Sequence, residues 1–172
     1  MGGAIEGFYS TWDNARRTFG EGTPRTGEHF DDSSTALRGL DSQMASAAAG
    51  DRWRGTAATA YDAANTEHRA VIARIADLDK QLAAEITTSA QVVSRGRQGL
   101  ESVRQWVAAA EASVPSGRAG EQMKLAIAQK GLARLQDVIQ TTNAESNAIG
   151  ERVQALNGEY QKLGLQRFAR KH

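Results

Sequence analysis

Only two prolines, Pro24 and Pro115, occur in 172 residues, and the long stretch between them holds a helix-period pattern that nothing forces to stop. After Thr56 the positions Tyr61, Ala64, His68, Val71, Ile75, Leu78, Leu82, Ile86, Val93, Leu100, Val103 and Val107 trace one apolar stripe, predicting a helix over 56–113. A straight helix of that span is about 85 Å long. Gly96 and Gly99 interrupt the stripe. Each costs about 1 kcal/mol against alanine, so a bend or weak point is expected there.

Three further helices follow from the same reasoning. Residues 4–18 place Ile5, Phe8, Trp12, Ala15 and Phe19 near one face, too many aromatic groups for a short helix to leave in water. Pro24 and several glycines break the chain between Gly20 and Gly27. A second helix over 28–49 keeps Phe30, Ser33, Leu37, Leu40, Met44 and Ala47 on a seam. The fourth, over 118–165, has the cleanest pattern. One heptad position takes Leu125, Leu132, Ile139, Ser146, Val153 and Tyr160, and the other takes Ala128, Leu135, Thr142, Ile149, Leu156 and Leu163. The turn from Val114 to Gly120 is short, so the two longest helices fold back antiparallel. The expected fold is all-α: an elongated antiparallel hairpin or bundle of three to four helices, two of them very long. It forms one domain over 1–172, complete or the N-terminal part of a longer parent.

Between the second and third helices stands Trp53-Arg54-Gly55. Gly50 suits the left-handed cap of the helix before it, Thr56 the N-cap of the helix after it, and Trp53 can lie across both. The run Gly50-Asp51-Arg52-Trp53-Arg54-Gly55-Thr56-Ala57-Ala58, with Tyr61 and the segment Ile75-Ala76-Asp77-Leu78-Asp79-Lys80-Gln81-Leu82, resembles the N-terminal region of the mycobacterial EspA/EspE proteins of type VII (ESX) secretion. The resemblance reaches from about Ala4 to Trp106. It implies a Trp-x-Gly helical hairpin, with Trp53 and Gly55 as elbow and secretion motif. It also implies a protein that is cytoplasmic before export and then secreted or held in the cell envelope. The family's export signal pairs a tyrosine with an acidic residue four positions later. Tyr9 and Asp13 satisfy that spacing, whereas Tyr61 and Tyr160 are followed by Asn65 and Gly164. That pair stands before the hairpin and not after it, where the signal normally lies, so the favoured reading of Tyr9 and Asp13 is a chance i, i+4 pair on the first helix and the export signal is the alternative.

Composition narrows the chemistry. Net charge is +1 and aromatic content 6%, so no strong field draws nucleic acid or anionic lipid. Without cysteine the chain makes no disulfide or thiolate metal site. His29, His68 and His172 form no pair on one helix face, and His68 alone lies on an apolar stripe. Asp31 and Asp32 sit in a first helical turn, and Asp77 and Asp79 flank Leu78 as a solvated face would. Arg95, Arg97, Arg104 and Arg118 are balanced by Glu101, Glu111 and Glu121. No nucleophile signature, phosphate-binding loop, cationic leader or membrane-length apolar run is present. The expectation is a non-enzymatic protein without cofactor, metal, nucleic acid or small-molecule substrate.

The helix lengths also predict a surface. If the second helix spans only the elbow half of the third, the end near Trp106 and Pro115 is two helices thick. Leu100, Val103, Trp106, Val107 and Leu125 would then be left for a partner. That partner is a secretion-system component, a co-secreted helical protein or a second copy. The expected role is a type VII secretion substrate or secretion-associated protein acting through helix–helix recognition. A cytosolic homo-oligomerising scaffold and the delivery domain of a larger secreted toxin are the alternatives.

Overall fold

The computed structural model describes residues 3–47 and 55–169, which form four helices and no strand: α1 (Ala4–Thr18), α2 (Glu28–Ser46), α3 (Thr56–Ala112) and α4 (Arg118–Ala169). Gly50, Trp53 and the last positions expected in the second helix lie outside the described residues. α4 continues past 165 to Ala169, because the isolated Gly164 costs only about 1 kcal/mol and no proline follows it.

The chain divides into two compact units, Met1–Pro24 with Ser89–Ala148 and Arg25–Thr88 with Ile149–His172. α3 and α4 are long enough to supply a segment to each.

The first unit is built on α1. Ile5, Phe8, Trp12 and Ala15 are buried against Leu100, Val103 and Val107 of α3 and Ala128 and Leu135 of α4. Phe8 is fully buried, and the Trp12 indole Nε1 donates to the Leu100 carbonyl at 2.6 Å. Each such large apolar side chain contributes about 1.5–3 kcal/mol. α3 is helical through Gly96 and Gly99. A β-carbon at Gly96 would run into the Phe19 ring, and one at Gly131 would lie 2.7 Å from Val107 and 3.0 Å from Phe8. These glycines clear space for aromatic side chains, and close packing offsets their low helix propensity. Arg97 closes the unit by donating to the carbonyls of Phe19 and Gly22.

The heptad reading of α4 holds fully at one position, where Ala128, Leu135, Ile149 and Leu156 are buried, and in part at the other, where Ile139, Val153 and Tyr160 are half-buried but Leu125 and Leu132 are 49% and 38% exposed. α1 packs beside Gly131 and Leu135, which moves the buried strip of α4 away from Leu125 and Leu132.

In the second unit α2 runs antiparallel to α3, and the join is polar. The seam expected at Phe30, Ser33, Leu37, Leu40, Met44 and Ala47 is covered only in part: Phe30, Ser33, Leu37 and Met44 are half-buried, Ala47 is exposed and Leu40 is 43% exposed, and the fully buried residue of α2 is Ser34 beside them. Ser34 Oγ donates to the Ala76 carbonyl at 2.7 Å, Asn65 Nδ2 to the Met44 carbonyl at 2.9 Å, and Arg69 pairs with Asp41 at 2.9 Å. At the start of α2, Gly27 lies so close to Ala83 that a β-carbon would collide with its carbonyl, while Gly27 N–H donates to Thr87 Oγ1 at 3.0 Å. Short polar side chains let these two backbones approach more closely than a leucine seam would. α4 joins the same unit through Arg74–Glu159 and Arg152–Glu85 ion pairs at 3.2 and 2.8 Å.

Candidate partner-docking surface

The five residues expected to leave an apolar partner surface are separated by α1. Leu100 and Val107 are fully buried and Val103 is 6% exposed, because the face expected at a two-helix end is covered by Phe8 and Trp12. Leu125 is exposed and Trp106 half-buried. This correction follows from the aromatic face of α1, whose need for a partner was legible although its docking place was not.

Gly55 adopts φ +115°, a conformation that favours glycine, and a β-carbon there would meet nothing. The residue is therefore required for backbone direction and not for close approach. Its carbonyl accepts from Thr59 N–H at 3.0 Å, which makes Gly55, not Thr56, the start of the α3 hydrogen-bond ladder. Trp53, the other half of the expected motif, lies outside the described residues.

Tyr9 and Asp13 stand one turn apart on α1. Tyr9 is half-buried, with its ring edge-on to Phe8 at a centroid distance of 5.3 Å, and Asp13 is exposed. Burial, helped by the Glu111 charge and opposed by Arg104, raises the Tyr9 pKa.

Sequence reasoning missed a buried polar node. Asp79 is 7% exposed, not on a solvated face; Ser33 donates to its Oδ2 at 2.7 Å and Tyr160 donates to its Oδ1. The node ties α2, α3 and α4 at one level. Its signal was present in the spacing of Ala58, Asn65 and Asp79, seven and fourteen residues apart, which marks a small and polar strip on α3 beside the apolar one. His68, assigned to the apolar stripe, is exposed, because the α3 strip facing α2 runs through Asn65.

Of the grouped arginines, Arg95 pairs with Glu145 at 2.8 Å, and Arg104 pairs with Glu101 at 3.7 Å while lying 5.3 Å from the Trp12 ring centroid. A second cation–aromatic group forms on the α3–α4 side of the first unit. Arg134 lies 4.1 Å and Lys130 5.8 Å from the centre of the Trp106 ring, and neither has an ion-pair partner among the described residues. Along the same two helices runs an open cleft of about 340 Å³, with Val92, Gly96, Gly99 and Val138 in its lining and Asp137 and the Arg95–Glu145 pair among its polar groups. This arrangement can seat aliphatic side chains and hold an anionic group. Among the described residues no cluster of three or more His, Asp or Glu could bind a metal ion.

Residues 19–102 match the model of the EspA/EspE family. Over that segment the chain is EspA/EspE-like. The matched segment begins where α1 ends, contains α2, and runs into α3. The family relates the chain to type VII secretion. No curated protein and no solved structure matches it. Among the described residues, no helix is long and apolar enough to cross a membrane.

Proposed function

We propose that this EspA/EspE-like chain is a non-enzymatic type VII (ESX) secretion substrate or secretion-associated protein that works through helix–helix recognition. The supporting observation is that the family match spans the whole α2 helix and the α3 segment on which it packs, a pairing whose register is set by directional polar contacts. Directional bonds favour one alignment of two helices in a way that an apolar seam does not. In this reading the Trp-x-Gly positions Trp53 and Gly55 are what the secretion machinery recognises, and the protein passes from cytoplasm to envelope or medium.

The test compares cell and culture-filtrate fractions from a producing strain with and without its type VII secretion ATPase. Export that depends on the ATPase supports the reading; equal amounts in both filtrates overturn it.

A homo-oligomeric scaffold is the second reading, favoured by Leu125 and Leu132, which are exposed one heptad apart on α4. Light scattering that shows a monomer at all concentrations would remove it.

A further inference from the structure

We propose that the α3–α4 groove of the first unit, from the cleft at Gly99 and Val138 to Trp106, is a docking site for an amphipathic helix of a partner protein carrying acidic residues. The inference rests on the reading that the chain acts through helix recognition and names the chemistry of the partner.

Charge selects the occupant. Arg134 and Lys130 are one turn apart on α4, both lie against Trp106, and neither is neutralised by a carboxylate among the described residues. Asp137 is one turn away on the same helix but forms no ion pair with Arg134 among the described residues. Stacking on the indole holds the Arg134 guanidinium in place, so its donors lose less freedom on meeting a carboxylate. Tryptophan and arginine together are the residue types on which binding energy concentrates at protein interfaces.

Shape selects a helix. The cleft lies beside this cationic group, and its lining includes Val92 and Val138 with Gly96 and Gly99. Val138 is four residues from Arg134 and eight from Lys130, about 6 and 12 Å along the α4 axis. A helix lying along the groove could set aliphatic side chains into the cleft and acidic ones a turn or two further along, against the two cations. A polyanion fits less well. Asp137 and Glu145 in the cleft lining would repel a second phosphate, and Arg95 is already engaged by Glu145.

Leu125 belongs to another surface. It is nine residues from Arg134, two and a half turns, and therefore on the opposite side of α4.

The test uses the full chain and two synthetic helical peptides with one leucine strip, flanked by glutamates in the first and lysines in the second. Affinities are read by fluorescence anisotropy. The glutamate peptide should bind at least about tenfold more tightly, as charge complementarity at a partly desolvated interface requires. The double variant Lys130→Glu with Arg134→Glu should reverse the preference, with unchanged helical circular dichroism and melting. A proline placed mid-way in the glutamate peptide should abolish binding. The proposal is overturned by equal affinities, by no binding of the glutamate peptide, by an unreversed preference, or by equal binding of the proline-broken peptide. Binding to phosphatidylglycerol vesicles without any peptide preference would also overturn it, assigning the two cations to a lipid surface. Normal export of a protein whose groove shows no preference would sink this inference alone, and loss of ATPase dependence with the preference intact would sink only the secretion reading.

Discussion

Tyr160 of α4 donates its hydroxyl to the carboxylate of Asp79 in α3, which on its other oxygen accepts from Ser33 of α2 at 2.7 Å. A buried carboxylate without a cation is tolerated when hydroxyl donors satisfy it, and each donor comes from a different helix. Burial, together with the bond to Asp79 and its charge, raises the Tyr160 pKa above the ordinary 10.0.

This raised pKa sets the sign of an alkaline effect. The folded state holds the phenolic proton more tightly than the unfolded chain. The contribution is therefore complete below about pH 10 and is lost as pH rises towards the folded-state pKa. Tyr160→Phe should cost about 1.5 kcal/mol at neutral pH, since a bond to an ionised acceptor is removed. Between about pH 10 and 12 the wild type should lose stability faster than the variant. Urea midpoints across that range check both; parallel curves would contradict the node.

α2 should open before α1. Ser34 is its buried residue, and net hydrogen bonds contribute about 1 kcal/mol each, whereas α1 buries Ile5, Phe8 and Trp12. Native-state hydrogen exchange should find the amides of α2 less protected than those of α1. Equal protection would mean that the polar join is stronger than its parts suggest.

Gly27 and Gly39 separate packing from propensity. Gly27→Ala drives a methyl group into the Ala83 backbone and should destabilise by about 3 kcal/mol. Gly39, in the middle of α2, has open space where its β-carbon would be, and Gly39→Ala should stabilise by about 0.8 kcal/mol. Thermal denaturation of the pair gives the two signs.

Gly96→Ala tests the same contrast in α3. On an open helix the change would stabilise by about 1 kcal/mol; against the Phe19 ring it should destabilise by about 1–2 kcal/mol. In the variant Phe19→Ala, which removes the obstructing ring, the penalty should shrink or change sign, and a double-mutant cycle would measure that coupling.

Trp12 combines apolar burial with a polar anchor. Trp12→Ala should cost about 3–5 kcal/mol. Trp12→Phe keeps most of the apolar surface but loses the donor to Leu100, and should cost about 1–2 kcal/mol. Chemical denaturation of both variants checks whether the order follows.

The periodic stripes made the four helices readable, because helix formation and turn chemistry act over a few residues and leave their mark on neighbouring positions. The α1 range 4–18 and the starts of α2, α3 and α4 at 28, 56 and 118 could be read in this way. So could the need of α1 to bury its aromatic face. Where α1 buries it could not, since a helix reveals which side is apolar but not which partner covers it. Docking on Leu100, Val103 and Val107 removed the apolar patch expected there and left the groove at Trp106 on another side of the unit.

The same distinction explains Asp79 and Gly96. An acidic residue beside a seam and a glycine inside one look like a solvated charge and a weak point as long as one helix is considered alone. Ser33, Tyr160 and Phe19, each distant along the chain, make the first a buried anchor and the second a socket. Local periodicity decides what forms; the meeting of side chains far apart in the chain decides what is buried, and that meeting depends on which helices pack together.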